Sequence, residues 1–381
     1  MRLSKPNPMN PITVTIHDIA RGGSGVARLE SGEIVFVPFT APGDVVSINI
    51  TEKTKNYSHG ELIEVLQPSK ERVEPLCPSF TKCGGCSWQH LPYTLQFDVK
   101  KRGLLQALKR AGVKTEGIET DEMPAKNHYF YRNRIQLRGN PIDHSLGFYE
   151  KNSIKTFTIE DCKISRKEIN DALPIIRKEA DKFTQPYKVE VEVSEDGEAR
   201  WTWDKKNAAF GFRQVNDEQN IQLQNWVKSN IGSADLLLDL FGGSGNLSRP
   251  LVSQFNEIHC VDTNVPNDKP IELPETFTFY RASVVWWLQN APQNKDFSSA
   301  VILDPPREGL SADFAQIEFA LSQKFSPETI ILVGCDTDSF ARDSFRFTQK
   351  GYTLSRLGVL DLFPQTPHVE SLAVFKKTAI K

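Results

Sequence analysis

Between residues 11 and 66, apolar and polar positions alternate in short runs: Thr13-Val-Thr-Ile16, Gly25-Val-Ala-Arg28, Glu33-Ile-Val-Phe-Val37, Val45-Val-Ser-Ile-Asn-Ile50 and Glu61-Leu-Ile-Glu-Val65. A period of two predicts strands with one buried face, and Gly22-Gly23, Ser31-Gly32 and Pro42-Gly43 supply the turns. Five such strands predict a small Greek-key barrel of the OB type. That scaffold often binds nucleic acid, and equally serves as a plain stabilising β module. The period becomes helical over Tyr93–Ala111, where Leu104, Leu105, Leu108 and Ala111 form an apolar stripe that Gly112 ends. Residues 129–203 mix strands with a helical segment near 167–182. From about Phe212 apolar strands at 236–240, 258–261, 277–280, 300–303 and 329–334 alternate with helical stretches. A last pair, 352–360 and 369–375, closes the chain. This pattern predicts a doubly wound α/β domain ending in an antiparallel hairpin.

A chain of 381 residues has room for two or three domains. The pattern divides it into a barrel at 1–70, a central α+β domain at 71–211 and an α/β domain at 212–381. Its 25% charged and 39% hydrophobic residues are ordinary for a soluble globular protein. A net charge of -2 gives no global attraction to nucleic acid, so any RNA contact must come from local basic surfaces. Two stretches offer them. Lys100, Lys101, Arg102, Lys109 and Arg110 crowd one helix, and Tyr129-Phe-Tyr-Arg-Asn-Arg-Ile135 interleaves aromatics with arginines, as base stacking and phosphate neutralisation require. A solvated helix face and an edge strand with snorkelling arginines are the plainer readings. The first residues have no apolar core for a signal peptide, and no apolar run is long enough to cross a bilayer. A cytoplasmic protein is expected, without membrane contact or an obligate protein partner.

The cysteines carry two kinds of chemistry. Cys77, Cys83 and Cys86 form a C-x5-C-x2-C run with ligand spacing, which reads as metal binding in a reducing compartment. Cys162 is the best fourth ligand, because Cys260 lies inside a strand of another domain and Cys335 has a different role. Four thiolates suit a [4Fe–4S] cluster or structural zinc; three clustered ligands and a remote one lean toward iron–sulfur. Downstream, Leu237-Leu-Asp-Leu-Phe-Gly-Gly-Ser-Gly-Asn246 runs from a strand into a glycine-rich loop. Asp262 ends the next strand, 23 residues after Asp239, where a carboxylate can accept from ribose hydroxyls. The loop is not G-x-G-x-x-G, so a nucleoside without pyrophosphate fits better than NAD, and S-adenosylmethionine is the common one. Asp304, in Asp304-Pro-Pro-Arg307, should face the same cleft, its direction set by the prolines.

Cys335 ends another strand of that sheet. A lone cysteine on an apolar strand is more often inert core. The expected methyl donor and Glu370, at the start of the last strand, change that balance. Carbon 5 of uracil is a poor nucleophile until a thiolate adds to carbon 6 and creates an enolate. A base must then remove the carbon 5 proton before the thiol can leave. One thiol and one carboxylate complete the cycle.

Together these residues resemble the RNA uracil-C5 methyltransferases, which make 5-methyluridine, over nearly the whole chain. The resemblance implies a TRAM barrel at 11–68, an α+β iron–sulfur domain and a Rossmann-like S-adenosylmethionine methyltransferase domain. It places Cys77, Cys83, Cys86 and Cys162 on the four [4Fe–4S] ligands. Tyr131-Arg-Asn-Arg134, Gly147-Phe-Tyr-Glu150 and Phe212-Arg-Gln-Val-Asn216 match central signatures. Gln214, Phe241, Asn246, Asp262, Ser283 and Asp304 fall on methyl-donor contacts, Cys335 on the nucleophile and Glu370 on the base. Residues 93–125 are implied to pack on the catalytic domain although they interrupt the central one. The chain departs from the family in three places. Gly334-Cys-Asp-Thr337 replaces Ser-Cys-Asn-Pro, which sets Asp336 beside the thiol, before the expected Ala341-Arg-Asp343. A short proline-bearing loop, 265–270, replaces the helix after Asp262, and Ser283 replaces a polar residue that meets adenine. The implied function is methylation of a uridine in structured RNA through a covalent adduct of Cys335 with carbon 6. The implied RNA is 23S ribosomal RNA, with tRNA uridine-54 as the alternative. An N-methyltransferase using Asp304 and a non-catalytic RNA-binding protein are the readings from other classes.

Overall fold

The computed structural model describes residues 11–204, 213–266, 272–292 and 297–378. Phe212 and residues 267–270, part of the short loop noted above, lie outside them. The chain divides into two compact units. The first holds Met1–Gly103, Asn127–Asn207 and Phe363–Pro367; the second holds Leu104–Lys126, Ala208–Leu362 and His368–Lys381.

In the first unit, β1 (Ile12–Ile19), β2 (Gly25–Arg28), β3 (Ile34–Val37), β4 (Val45–Lys53) and β5 (Tyr57–Gln67) close a barrel in the order β1-β2-β3-β5-β4. The alternation read from the sequence becomes its interior, where Val14, Ile16, Ala27, Val35, Val37, Val46 and Ile48 pack together. β5 begins four residues before the run at 61–65, because Gly60 also faces inward. A Cβ there would stand 3.0 Å from Ile48 and 3.3 Å from Val35 and Val37. Buried Asp44 ties the following chain to the barrel through Arg72 (2.6 Å) and the amides of Ala41 and Ser69.

Helix α1 (Tyr93–Ala111) begins in the first unit and ends in the second, which also takes β6 (Glu119–Met123). Its basic run is not uniformly solvated. Lys100 is buried and donates to the Phe363 carbonyl (3.1 Å), while Arg102 pairs with Asp18 and Asp98. Strands β7 (Arg134–Asn140), β8 (Ser145–Tyr149) and β9 (Thr156–Thr158), helix α2 (Lys167–Ala180), and strands β10 (Tyr187–Val193) and β11 (Ala199–Trp203) follow. The five strands form an antiparallel sheet ordered β11-β10-β7-β8-β9. α2 turns Ile169, Ala172, Leu173, Ile176 and Ala180 onto one core with Ile135, Leu137, Val189 and Val191. The aromatic–arginine stretch enters this sheet only at Arg134. That side chain is committed to buried Glu192, with Nε 2.9 Å from the carboxylate.

The second unit continues with α3 (Asp217–Asn230), β12 (Ala234–Leu240), β13 (Phe255–Asp262), β14 (Phe277–Arg281), α4 (Val284–Asn290), β15 (Ser299–Leu303), α5 (Phe314–Lys324), β16 (Thr329–Gly334), α6 (Thr337–Thr348), β17 (Tyr352–Leu360) and β18 (Glu370–Lys377). Its eight-stranded sheet is ordered β14-β13-β12-β15-β16-β18-β17-β6. β12 through β16 are parallel, and β12 lies where the order reverses, the usual position of a ligand cleft outside the carboxyl ends. The terminal hairpin does not simply extend the edge. β18 inserts antiparallel between β16 and β17, which brings its first residue to the carboxyl edge of β16. β6 pairs parallel with β17 as the outer strand. Its sequence, Glu-Thr-Asp-Glu-Met, shows no apolar alternation, and Arg356 holds it through Asp121 (2.5 Å) and Glu119 (2.9 Å). Among the described residues no helix is long and apolar enough to cross a membrane.

Candidate active site

Four strand ends of the second unit converge on one cleft. After β12 the chain turns at Phe241, in the left-handed region at φ 65°, and at Gly243 and Gly245, φ 54° and 78°. Gly242 has no room for a side chain, since a Cβ would stand 2.6 Å from Asp239 and from Cys260. Asp262 ends β13 and receives the Gly243 and Asn264 amides at 3.2 and 2.7 Å, which ties the glycine loop to the next strand. No α-helix opens after the loop; a 3₁₀ turn at Arg249–Leu251 follows. The cleft encloses about 610 Å³ and is lined by Phe241, Asp262, Thr263, Asn264, Ala282, Ser283, Val284, Val285, Asp304, Pro306 and Asp313. That size is ordinary for a small-molecule site.

Four of the six expected donor residues, Phe241, Asp262, Ser283 and Asp304, therefore share this cleft. Asn246 does not line it. Its amide is engaged reciprocally with Asn220 (2.9 and 2.8 Å) and also receives Gln224. Gln214 lies in the half-buried turn before α3, likewise outside the cleft lining. The Ser283 hydroxyl caps α4 through the Trp286 amide (3.3 Å). Val284 and Val285, the first residues of α4, form an apolar wall that the reading of motifs passed over. The signal was present as a capping serine followed by two valines.

Cys335 and Glu370 face each other across paired strands. Gly334, the last residue of β16, pairs with Ser371 of β18, so the next residue on one strand lies opposite the preceding residue on the other. Cys335 is half-buried, and its thiol is pushed up to about 11 by burial and by the Glu370 and Asp304 carboxylates, with Arg307 opposing. Glu370 is buried, and burial together with Asp304 raises it well above the usual carboxylate range, again with Arg307 opposing. Asp304 is pushed up to about 7 by desolvation and by Asp239 and Asp262. Asp336, which the sequence sets beside the thiol, is the N-cap of α6. Its carboxylate accepts from the Asp338 and Ser339 amides at 3.1 and 2.9 Å. The same helix start places the positive end of its dipole next in the chain after the thiol.

In the first unit, Cys77, Cys83, Cys86 and Cys162 line one cavity of about 50 Å³. Phe80, Ile135, Phe148, Ile159 and Ile164 make its apolar wall, and Arg132 and Lys163 also reach it. The four are free thiols, and burial pushes Cys86 up to about 12. Local bonds orient the segments: the Cys77 amide donates to Gln89 (3.0 Å) and the Cys162 amide to Asn170 (2.9 Å).

Comparison with known proteins adds to this geometry. The TRAM domain family matches residues 11–63, which take in the barrel strands up to the middle of β5. An uncharacterized RNA methyltransferase of Bdellovibrio bacteriovorus is 32% identical over 380 residues, covering 95% of this chain and 94% of its own. A 23S rRNA (uracil(1939)-C(5))-methyltransferase of Pectobacterium atrosepticum is 28% identical over 437 residues, covering 97% and 95%. Among solved structures, the Pyrococcus abyssi tRNA (uracil-54, C5)-methyltransferase in complex with S-adenosyl-L-homocysteine is 22% identical. It has a TM-score of 0.72 over 95% of this chain and 99% of that one, which shows a common fold. Similarity spanning almost the full chain, with a TRAM barrel at its start, means that this protein belongs to the RNA (uracil-C5)-methyltransferase family.

Proposed function

We propose that the protein methylates carbon 5 of a uridine in structured RNA, with 23S ribosomal RNA as the substrate, using S-adenosylmethionine. The observation that carries this reading is the juxtaposition of Cys335 and Glu370 at the carboxyl edge of the sheet, beside a cleft of nucleoside size. The Cys335 thiolate bonds to carbon 6 of the flipped-out uracil, and the displaced electron pair becomes an enolate. Carbon 5 then takes the methyl group from the sulfonium donor, whose sulfur leaves as a neutral thioether. Glu370 removes the carbon 5 proton, the ring double bond reforms, and the bond to Cys335 breaks to regenerate the thiolate. Asp262 would accept from the donor's ribose hydroxyls, and Phe241, Ser283 and Asp304 would bound the rest of the donor. Gln214 would complete the donor site, and Asn246 would join it by exchanging its bonds to Asn220 and Gln224. Nucleoside analysis of 23S RNA from a strain lacking the protein, treated with enzyme and donor, tests the reading. New 5-methyluridine at one position supports it; a methylated nitrogen or ribose oxygen refutes it, and a mark on tRNA alone moves the substrate.

Both reacting groups work in their ionised forms, and burial holds both toward neutrality. The thiolate fraction grows about tenfold per pH unit below the thiol's pKa. Accordingly, kcat/KM should climb steadily from neutral toward alkaline pH; a decline over that range in steady-state assays would contradict the assignment.

The four clustered cysteines fit a [4Fe–4S] centre. Among the described residues no group of three or more His, Cys, Asp or Glu side chains is set to hold one metal ion, yet four thiols line a single apolar cavity. A cubane offers four separate irons, one per thiolate, which matches the number of thiols at the cavity. Cys77, Cys83, Cys86 and Cys162 would be its ligands, and bound iron–sulfur would cross-link segments distant in the chain. Protein purified without oxygen is expected to hold roughly four irons and four sulfides per chain. Cys162→Ser should lose most of both, and stoichiometric zinc in the parent protein would exclude the cluster.

A further inference from the structure

The motif Ala341-Arg342-Asp343 has no part in the reaction as described, yet the structure places a buried carboxylate there. Asp343 is 1% exposed and accepts from the Leu310 amide (2.7 Å), from Arg342 Nε and Nη2 (both 3.0 Å) and from Arg346 Nη1 (3.4 Å). Its neighbours on α6 reach the same loop. The Ser339 hydroxyl donates to the Arg307 carbonyl (2.8 Å), Arg342 to the Glu308 carbonyl (2.7 Å) and Arg346 to the Ser311 carbonyl (2.7 Å). Residues 339, 342, 343 and 346 follow i, i+3, i+4 and i+7, so one helical face grips the loop from 307 to 311. The loop is shaped to receive it. Gly309 adopts φ 66°, and a Cβ there would stand 2.3 Å from the Asp343 carboxylate.

The two ends of this clip are functional. The loop continues from Asp304 and carries Arg307, and the helix, capped by Asp336, begins two residues after Cys335. We propose that Asp343 is a positioning residue: with Ser339 and Arg342 it fixes the Arg307 loop against the helix of the nucleophile, holding the guanidinium where it favours the Cys335 thiolate. The charged groups that act on the thiol are Glu370 on β18 and Asp304 and Arg307 on the loop, and of these Arg307 supplies the positive charge. At the start of α6, Asp338 is paired with Arg110 (3.2 Å). A loop free to drift would leave the thiol facing carboxylates with less to offset them.

The inference rests on Cys335 as nucleophile, but its test needs neither RNA nor methyl donor, so the two can fail separately. The rate of Cys335 alkylation by iodoacetamide at pH 8, read by peptide mass in the full-length protein, would be measured in a double-mutant cycle. Arg307→Ala and Asp343→Asn should each slow it about tenfold, the equivalent of one pKa unit. The double variant should be no slower than Arg307→Ala alone. If the two effects multiply to about a hundredfold, or Asp343→Asn leaves the rate unchanged, Asp343 does not act through Arg307 and the proposal is overturned. Should Asp343→Asn fail to fold, Ser339→Ala, which removes one bond to the Arg307 carbonyl, takes its place in the same cycle. A smaller, equally non-additive loss is then expected, and an additive one overturns the proposal.

Discussion

Replacing Cys335 with alanine is expected to abolish 5-methyluridine formation while leaving methyl-donor binding intact. Loss of a covalent nucleophile typically costs roughly 10⁴–10⁶-fold in turnover. The donor cleft is lined by other residues, so calorimetric affinity for the donor should be unchanged. The substitution removes one sulfur from a half-buried position, so folding is not at issue. With RNA carrying 5-fluorouridine, the parent enzyme should form a stalled protein–RNA band, because fluorine cannot leave as a proton does; Cys335→Ala should form none. Retention of methylation by this variant would redirect the chemistry to a nitrogen acceptor, with Asp304 as its polar clamp.

Glu370→Gln should divide the cycle in two. Glutamine has nearly the same shape, and burial already favours the neutral form of Glu370, so the site keeps its packing. Addition of Cys335 and methyl transfer need no base at this position, whereas elimination does. Turnover is expected to fall roughly 10²–10⁴-fold, the usual contribution of a general base. Protein cross-linked to already methylated natural RNA should accumulate, visible as a shifted band that carries label from the donor methyl. Equal loss of activity without any adduct would place Glu370 in binding or folding rather than in proton removal.

The two experiments separate stages that a single rate would merge. If Cys335→Ala prevents the adduct and Glu370→Gln traps it, the thiol acts before methyl transfer and the carboxylate after it. The pH dependence then has a physical origin: a half-buried thiol and a buried carboxyl, each raised by burial and by Asp304, with Arg307 opposing both.

Much of the architecture could be read along the chain. The alternation of Val14, Ile16, Val35, Val37, Val46 and Ile48 marked the barrel, because a period of two needs only local backbone geometry. The parallel strands and the glycine loop after β12 were equally plain, since apolar runs and missing side chains are properties of adjacent residues. Shared sequence along nearly the whole chain then established the family.

Other features depend on pairings that no neighbour in sequence specifies. β6 is held by Arg356 and Trp226 rather than by any apolar pattern of its own, so its acidic run carries no strand signal in the sequence. Lys100 looked like one charge among several until its burial against the Phe363 carbonyl appeared. Asp336 stands beside the thiol in the sequence, and only the fold shows that helix capping gives its carboxylate a partner. Asn246 and Gln214, expected at the donor, lie outside the cleft lining, Asn246 because Asn220 and Gln224 hold its amide.

By itself, the order of residues determined the local elements, the cysteine spacing and the family, because these follow from periodicity, turn chemistry and motif. Only the tertiary structure decided that β18 enters between β16 and β17 and so sets Glu370 against Cys335, and that one face of α6 seizes the Arg307 loop. Strand order and side-chain contact over long sequence separation are selected by the packing of the whole sheet, and no local pattern encodes them.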